Sequence, residues 1–173
     1  MRQAAASALL ILAACQAPAP EPKASEQPAK SPSSTSPLVG SWTADGPVRL
    51  IGEDVRTETG EAQVEYRPDG SFHYRARLSM AGGKMPTEGL SFRLEATGRW
   101  QLAEAVLTER FEAVIVEPEE KGQANLNLIA EALGDEMKAE EPSRAEVVEL
   151  TRDRLVLRER ESAQVVTYVR NKR

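Results

Sequence analysis

Apolar and polar residues alternate along most of the chain after residue 38, as is typical of β-strands with one buried face. The clearest stretch runs from Leu90 to Leu102, where every second residue is apolar or small and those between are polar. A period of two places the first set on a dry face and the second set in water. A strand of this length favours a coiled or barrel-like sheet over a small flat one.

A strong turn precedes this strand. Pro68-Asp69-Gly70-Ser71 combines a proline that presets the first turn angle with a glycine suited to the left-handed position. The alternation of Val64 and Tyr66 before the turn predicts one strand of a hairpin. The return strand predicts one face made of Phe72, Tyr74, Ala76, Leu78 and Met80, and an opposite face made of His73, Arg75 and Arg77.

The second half of the domain adds strands and one helix. Apolar residues at helical spacing predict an amphipathic helix over 125–140, with Asn125 as its cap and Pro142 beyond its end. Further strands are predicted at 107–116, 145–151, 155–161 and 164–170. The whole pattern predicts a mainly β protein of about eight antiparallel strands. We expect an up-and-down barrel or half-open barrel, with the helix inserted before the last strands.

The first 37 residues differ from the rest. Arg2, an apolar run and the sequence Leu12-Ala13-Ala14-Cys15 resemble the signal and lipobox of bacterial lipoproteins. The resemblance implies a signal peptide over 1–14 and a lipidated Cys15 that holds the protein to a membrane. Residues 15–37 would then form a disordered tether rich in Pro, Ala and Ser, and 38–173 a single domain. Gln16, where Asp would imply retention at the inner membrane, implies the periplasmic face of the outer membrane.

The charge is concentrated in one segment. The chain has a net charge of −5, and residues 117–141 hold eight acidic residues against two lysines. Such a segment is usually a solvated face, and the alternative is a docking surface for a basic protein partner. The composition lacks the basic patch of a nucleic-acid-binding protein, so we expect no nucleic-acid partner.

Two short motifs resemble those of the lipocalin-like (calycin) family. Gly40-Ser41-Trp42 near the start of the domain matches the glycine and tryptophan of the first lipocalin strand. Arg170 on the last strand matches the basic residue that packs across that tryptophan. The resemblance implies that Gly40, Trp42 and Arg170 form the closed base of a barrel. The predicted helix departs from the lipocalin pattern because it precedes the last three strands.

Catalytic chemistry has little support in the sequence. The single histidine, His73, is predicted to face water beside Arg75, so it lacks the setting of a general base. The spacing of residues indicates no zinc, calcium or phosphate-binding motif. We therefore expect a non-enzymatic protein with no cofactor and no metal.

The inward face of the predicted barrel suggests a cavity. If Leu107, Phe111, Ala113 and Ile115 face inward, Glu109 shares their face and could orient the head group of a ligand. The alternative is a hydrated Glu109 at the rim. The residues expected to line any cavity are Phe72, Tyr74, Met80, Phe92, Leu94, Trp100 and Glu109. The sequence thus predicts an envelope lipoprotein that binds a small apolar ligand or lipid, or else a solid-cored structural or interaction module.

Overall fold

A computed structural model describes residues 36–51, 55–83, 85–120, 124–160 and 162–172. The expected signal peptide, Cys15 and nearly all of the tether lie outside the described residues. The described part consists of one antiparallel sheet and one helix. Its elements are β1 (Gly40–Ala44), β2 (Val48–Ile51), β3 (Val55–Tyr66), β4 (Ser71–Gly82), β5 (Leu90–Ala103), β6 (Val106–Pro118), α1 (Ala124–Ala139), β7 (Ser143–Leu150), β8 (Arg154–Glu159) and β9 (Val165–Arg170).

The sheet closes on itself. Strands β3 to β9 pair in chain order, and β1 fills the remaining gap between β9 and β3. The barrel closes at Trp42 of β1, which pairs with Val64 on β3 and with Arg170 on β9. The result is an eight-stranded antiparallel barrel, and β2 pairs alongside the first half of β3 as a ninth strand. The predicted mainly β barrel with one helix before the last strands is confirmed, and of the two expected forms the closed one is found.

The base of the barrel is a packed apolar core. The tight turn at Pro68-Asp69-Gly70 closes β3 and β4, with the Arg67 amide bonded to the Ser71 carbonyl at 2.9 Å. Large inward side chains from most of the strands, together with Leu38 just before β1, meet above it. They are Leu38, Trp42, Val64, Tyr66, Phe72, Trp100, Leu107, Leu155 and Leu157.

Helix α1 fills part of the opposite end. Strand β6 pairs with β7 only over Val106–Glu109, so its second half has no strand on that side. The helix lies there, with the backbone of Gly134 close to the Val114 carbonyl. Its buried Ala130 packs with Leu78 and Phe92. An open strand edge invites pairing with other chains, and the helix covers this one.

The bounds of α1 differ slightly from the prediction. The sequence suggested that Asn125 caps the helix. The helix begins at Ala124, however, so Asn125 lies inside its first turn and is not its cap. The residue before Ala124 lies outside the described residues. At the other end the helix stops at Ala139, three residues before Pro142, because a proline cannot continue a helix.

A β-bulge changes the register of β6. Gly98 on β5 pairs with Phe111, whereas the preceding Thr97 pairs with Ala113, so Glu112 is an extra residue on β6. An inserted residue reverses which side chains face the core. Ala113 and Ile115, expected inside, therefore face outward, and Ile115 is 58% exposed. That part of the prediction was wrong, whereas Glu109 precedes the bulge and keeps its inward position.

Candidate functional site

The base of the barrel carries the residues implied by the lipocalin-like motif. The guanidinium carbon of Arg170 lies 4.1 Å from the centre of the Trp42 ring, within the range of a cation–π contact. Arg170 also donates to the Val39 carbonyl at 2.8 Å and to the carbonyl of Pro37. Gly40 has a φ of 137°, and a Cβ there would overlap Arg170. Arg170 therefore covers the Trp42 ring and closes the apolar core at this end of the barrel.

The opposite end contains a cavity of about 170 Å³. It lies beside the turn between β8 and β9, where Gln164 Nε2 donates to the Arg49 carbonyl of β2 at 3.0 Å. Apolar and polar groups contribute to its wall. The lining includes Tyr74, Glu109, Leu157, Glu159, Gln164 and Tyr168. The barrel is thus packed at its base and partly hollow at its mouth.

Glu109 is the acidic centre of this cavity. Its Oε1 accepts a hydrogen bond from the buried Tyr66 hydroxyl at 2.9 Å. Burial raises the pKa of the Glu109 carboxyl from 4.5 to about 7, and the Tyr66 bond offsets only part of that effect. A carboxyl with this pKa changes charge near neutral pH.

All three tyrosines of the chain converge on Glu109. Burial, followed by the negative charge of Glu109, raises the pKa values of Tyr66 and Tyr74. Burial, and then the neighbouring Tyr74 and Glu109, raise the pKa of Tyr168. The hydroxyls of Tyr74 and Tyr168 make no hydrogen bond with another described residue. Both tyrosines line the cavity.

Two of the seven predicted lining residues, Tyr74 and Glu109, line the cavity. The other five pack in the solid parts of the barrel. Phe72 and Trp100 belong to the base core. Phe92 is fully buried near α1, Met80 packs beside it and Leu94 joins a neighbouring cluster. These five side chains pack against other apolar side chains of the barrel and α1 and do not line the Glu109 cavity.

Sequence reasoning missed Tyr168 and Glu159. Tyr168 lies two residues before Arg170 on β9 and shares its face, so its inward direction could have been inferred from the predicted position of Arg170. Glu159 lies two residues after the buried Leu157, on the same face of β8, and reaches the same cavity. No local pattern distinguishes it from the many exposed glutamates of the chain.

Other candidate chemistry remains on the outside. His73 lies on the outer face of β4, where its Nε2 is 2.7 Å from Glu95 Oε1. Within the described ranges, no group of three or more metal-ligating side chains comes together. Within the described part of the chain, no helix is sufficiently long and apolar to span a membrane.

A second surface feature lies between β6 and α1. A groove of about 330 Å³ runs along the covered strand edge. Its acidic wall comprises Glu117, Glu131 and Asp135. Ile115 also lines it, and Leu128 on the outer side of α1 is 68% exposed. The acidic segment 117–141 therefore combines negative charge with exposed apolar side chains.

The chain was compared with protein-family models and with curated proteins. No protein-family model matches the chain, and no curated protein gives a significant match. The fold and the cavity define the class: a closed eight-stranded antiparallel barrel with an acidic, tyrosine-lined cavity at its mouth.

Proposed function

We propose that this protein is a membrane-anchored envelope lipoprotein whose barrel binds a small amphipathic ligand. The anchoring part rests on Leu12-Ala13-Ala14-Cys15 and on the tether composition that follows. A lipidated Cys15 on the outer membrane would hold the domain on the periplasmic side. More than one acyl chain gives stable anchoring at about 0.8 kcal/mol per buried methylene.

The observation that carries the binding part is the convergence of Tyr66, Tyr74 and Tyr168 on Glu109 at an open cavity. Binding sites combine an apolar wall with a few placed polar groups. The volume of about 170 Å³ falls below the roughly 300 Å³ at which typical ligand pockets begin. The sequence predicted an apolar ligand or lipid. A cavity of this size could hold only a small molecule of that kind, or one end of a longer molecule.

The test is native mass spectrometry of the full chain, purified gently from a bacterial envelope in non-ionic detergent. We expect a reproducible non-covalent mass that is lost on denaturation. Ala145→Leu should abolish it, because Ala145 lines the cavity and a larger side chain there removes space. Ala113→Leu is the matched control, since Ala113 is exposed on the outer face of β6.

A clean apo mass from the parent chain would reject the binding function. Retention of the ligand by a folded Ala145→Leu variant would place the ligand elsewhere. Circular dichroism establishes that each variant is folded before its mass is compared.

The second candidate function is a structural or interaction module of the envelope, and the groove between β6 and α1 favours it. Glu131 and Asp135 would attract a basic segment, and exposed Leu128 lies nearby. A lysine-rich synthetic peptide should then bind in a salt-dependent manner. Glu131→Lys with Asp135→Lys should abolish that binding and leave any cavity ligand in place.

A further inference from the structure

Two carboxylates face the cavity from strands that do not adjoin. Glu109 projects from β6 and Glu159 from β8, with β7 between them. Glu159 accepts a hydrogen bond from the Ser162 hydroxyl, and its charge contributes to the raised pKa of Tyr168. The carboxylates of Glu109 and Glu159 therefore both contribute negative charge to the same cavity.

Among the described residues, no basic side chain lies within ion-pair distance of Glu109 or Glu159. Arg144 contributes to the lining, but it alternates with the inward Ala145 on β7 and is exposed. Successive residues of a strand point to opposite faces, so Arg144 belongs to the outer face of β7 and only borders the cavity. An anionic ligand would meet repulsion from Glu109 and Glu159, whereas a cation would compensate their charge.

The remaining polar groups also suit a cation. Tyr74 and Tyr168 offer hydroxyl oxygens that accept hydrogen bonds, and their rings offer the negative face that attracts an ammonium group. Leu157 supplies an apolar wall beside them. We propose that the Glu109 cavity binds a small organic cation, a protonated amine on a short apolar body; this narrows the ligand of the proposed function and rests on it.

The size of the cavity limits the ligand. A volume of about 170 Å³ equals roughly six water molecules at about 30 Å³ each. An ammonium group with a short alkyl chain fits this space, and a bulky head group does not. A longer amine would leave its far end outside the mouth.

The test compares three molecules of similar shape and different charge. n-Butylammonium, 1-butanol and butyrate are titrated into the full chain in detergent at about pH 8, where Glu109 is mostly ionised, and binding is followed by calorimetry. We expect the ammonium probe to bind at least about tenfold more tightly than either of the others. Glu109→Gln should weaken its binding by about tenfold or more, and Tyr168→Phe should weaken it less because the ring remains.

Glu112→Gln is the matched control. Glu112 lies on the same strand and is 60% exposed, so its loss should leave the affinity unchanged. Equal binding of 1-butanol, or undiminished binding of the ammonium probe to a folded Glu109→Gln variant, would overturn the cation proposal.

The outcomes separate this proposal from the function on which it rests. A neutral or anionic ligand found by native mass spectrometry, lost in Ala145→Leu, would overturn the cation and keep the binding function. Absence of any bound mass together with no binding of the three probes would overturn both.

Discussion

Tyr66 and Glu109 form a hydrogen bond of 2.9 Å across the interior of the barrel, between strands separated by β4 and β5. Tyr66 is buried in the core at the base of the barrel, and Glu109 lines the cavity above that core. The bond therefore joins the sealed half of the barrel to the hollow half.

The raised pKa of Glu109 predicts a pH-dependent stability. The pKa is 4.5 for an ordinary glutamate and about 7 in the fold, so between these values the folded protein retains a proton that the unfolded chain releases. The free energy of unfolding should fall as the pH rises through this window, by up to about 3 kcal/mol, and the loss should be complete above it. Urea unfolding at a series of pH values measures the slope.

Glu109→Gln removes this titration and still offers an oxygen to Tyr66. The variant should be more stable than the parent at about pH 8 and should lose this part of the pH dependence. Glu112→Gln, exposed on the same strand, should follow the parent curve. Parallel curves for the parent and Glu109→Gln would contradict a raised pKa of Glu109.

Arg170→Lys tests the sealed base. Lysine keeps the positive charge but loses the planar fork that stacks on Trp42 and reaches several carbonyl groups. We expect a loss of roughly 1–2 kcal/mol in the free energy of unfolding. Arg158→Lys, in an exposed pair with Glu146, should change stability by less than about 0.5 kcal/mol. Similar values for the two variants would argue against a structural role of Arg170.

Two glycines should respond to alanine in opposite directions. A Cβ at Gly98 would overlap the Arg110 carbonyl oxygen and lie 2.8 Å from the Phe72 ring, so Gly98→Ala should destabilise the protein by roughly 1–3 kcal/mol. A Cβ at Gly134 would lie 3.7 Å from Val114 and Val116 atoms. Gly134→Ala should therefore fit and stabilise the helix by about 0.5–1 kcal/mol.

Thermal unfolding of both glycine variants checks this prediction. A destabilised Gly134→Ala protein would mean that α1 lies too close to β6 to accept a methyl group at this position. An unchanged Gly98→Ala protein would mean that the bulge region of β6 yields without cost.

Cys15→Ser tests the anchor. If the lipobox resemblance holds, the variant should incorporate no labelled palmitate and should leave the detergent-soluble membrane fraction. Gln16→Ser should keep the label. Gln16→Asp should keep the label and move the protein to the inner membrane of a Gram-negative host. Palmitate labelling of Cys15→Ser would refute the assignment.

The alternation of apolar and polar residues predicted the barrel because it is clearest in the longest strands. In β5 the predicted inward set, from Leu90 to Leu102, is also the buried or half-buried set. The first half of β3 gave no such signal. Thr57, Glu58 and Thr59 are polar, and pairing with β2 and β4 holds them in the sheet.

The candidate site was only partly predictable for a related reason. The inward direction of Glu109 follows from its strand, but its neighbours depend on registers set elsewhere. Bulges lie between Gly60 and Gln63, at Glu112, and between Val147 and Glu149. Each shifts one strand against the next by a residue. Local patterns do not report such shifts, so the meeting of Tyr66, Tyr74 and Tyr168 required the structure.

The position of β1 has a consequence for the order of folding. Thr43 bonds to Asn171 across a separation of 128 residues, and β1 lies between β3 and β9. Contacts this distant in sequence form slowly, because a long loop must close before they contribute. A growing chain can assemble the β3–β6 hairpins early, but the ring stays open until residues 165–170 have emerged. Loss of that last strand would leave β1 with one neighbour and expose a strand edge to aggregation.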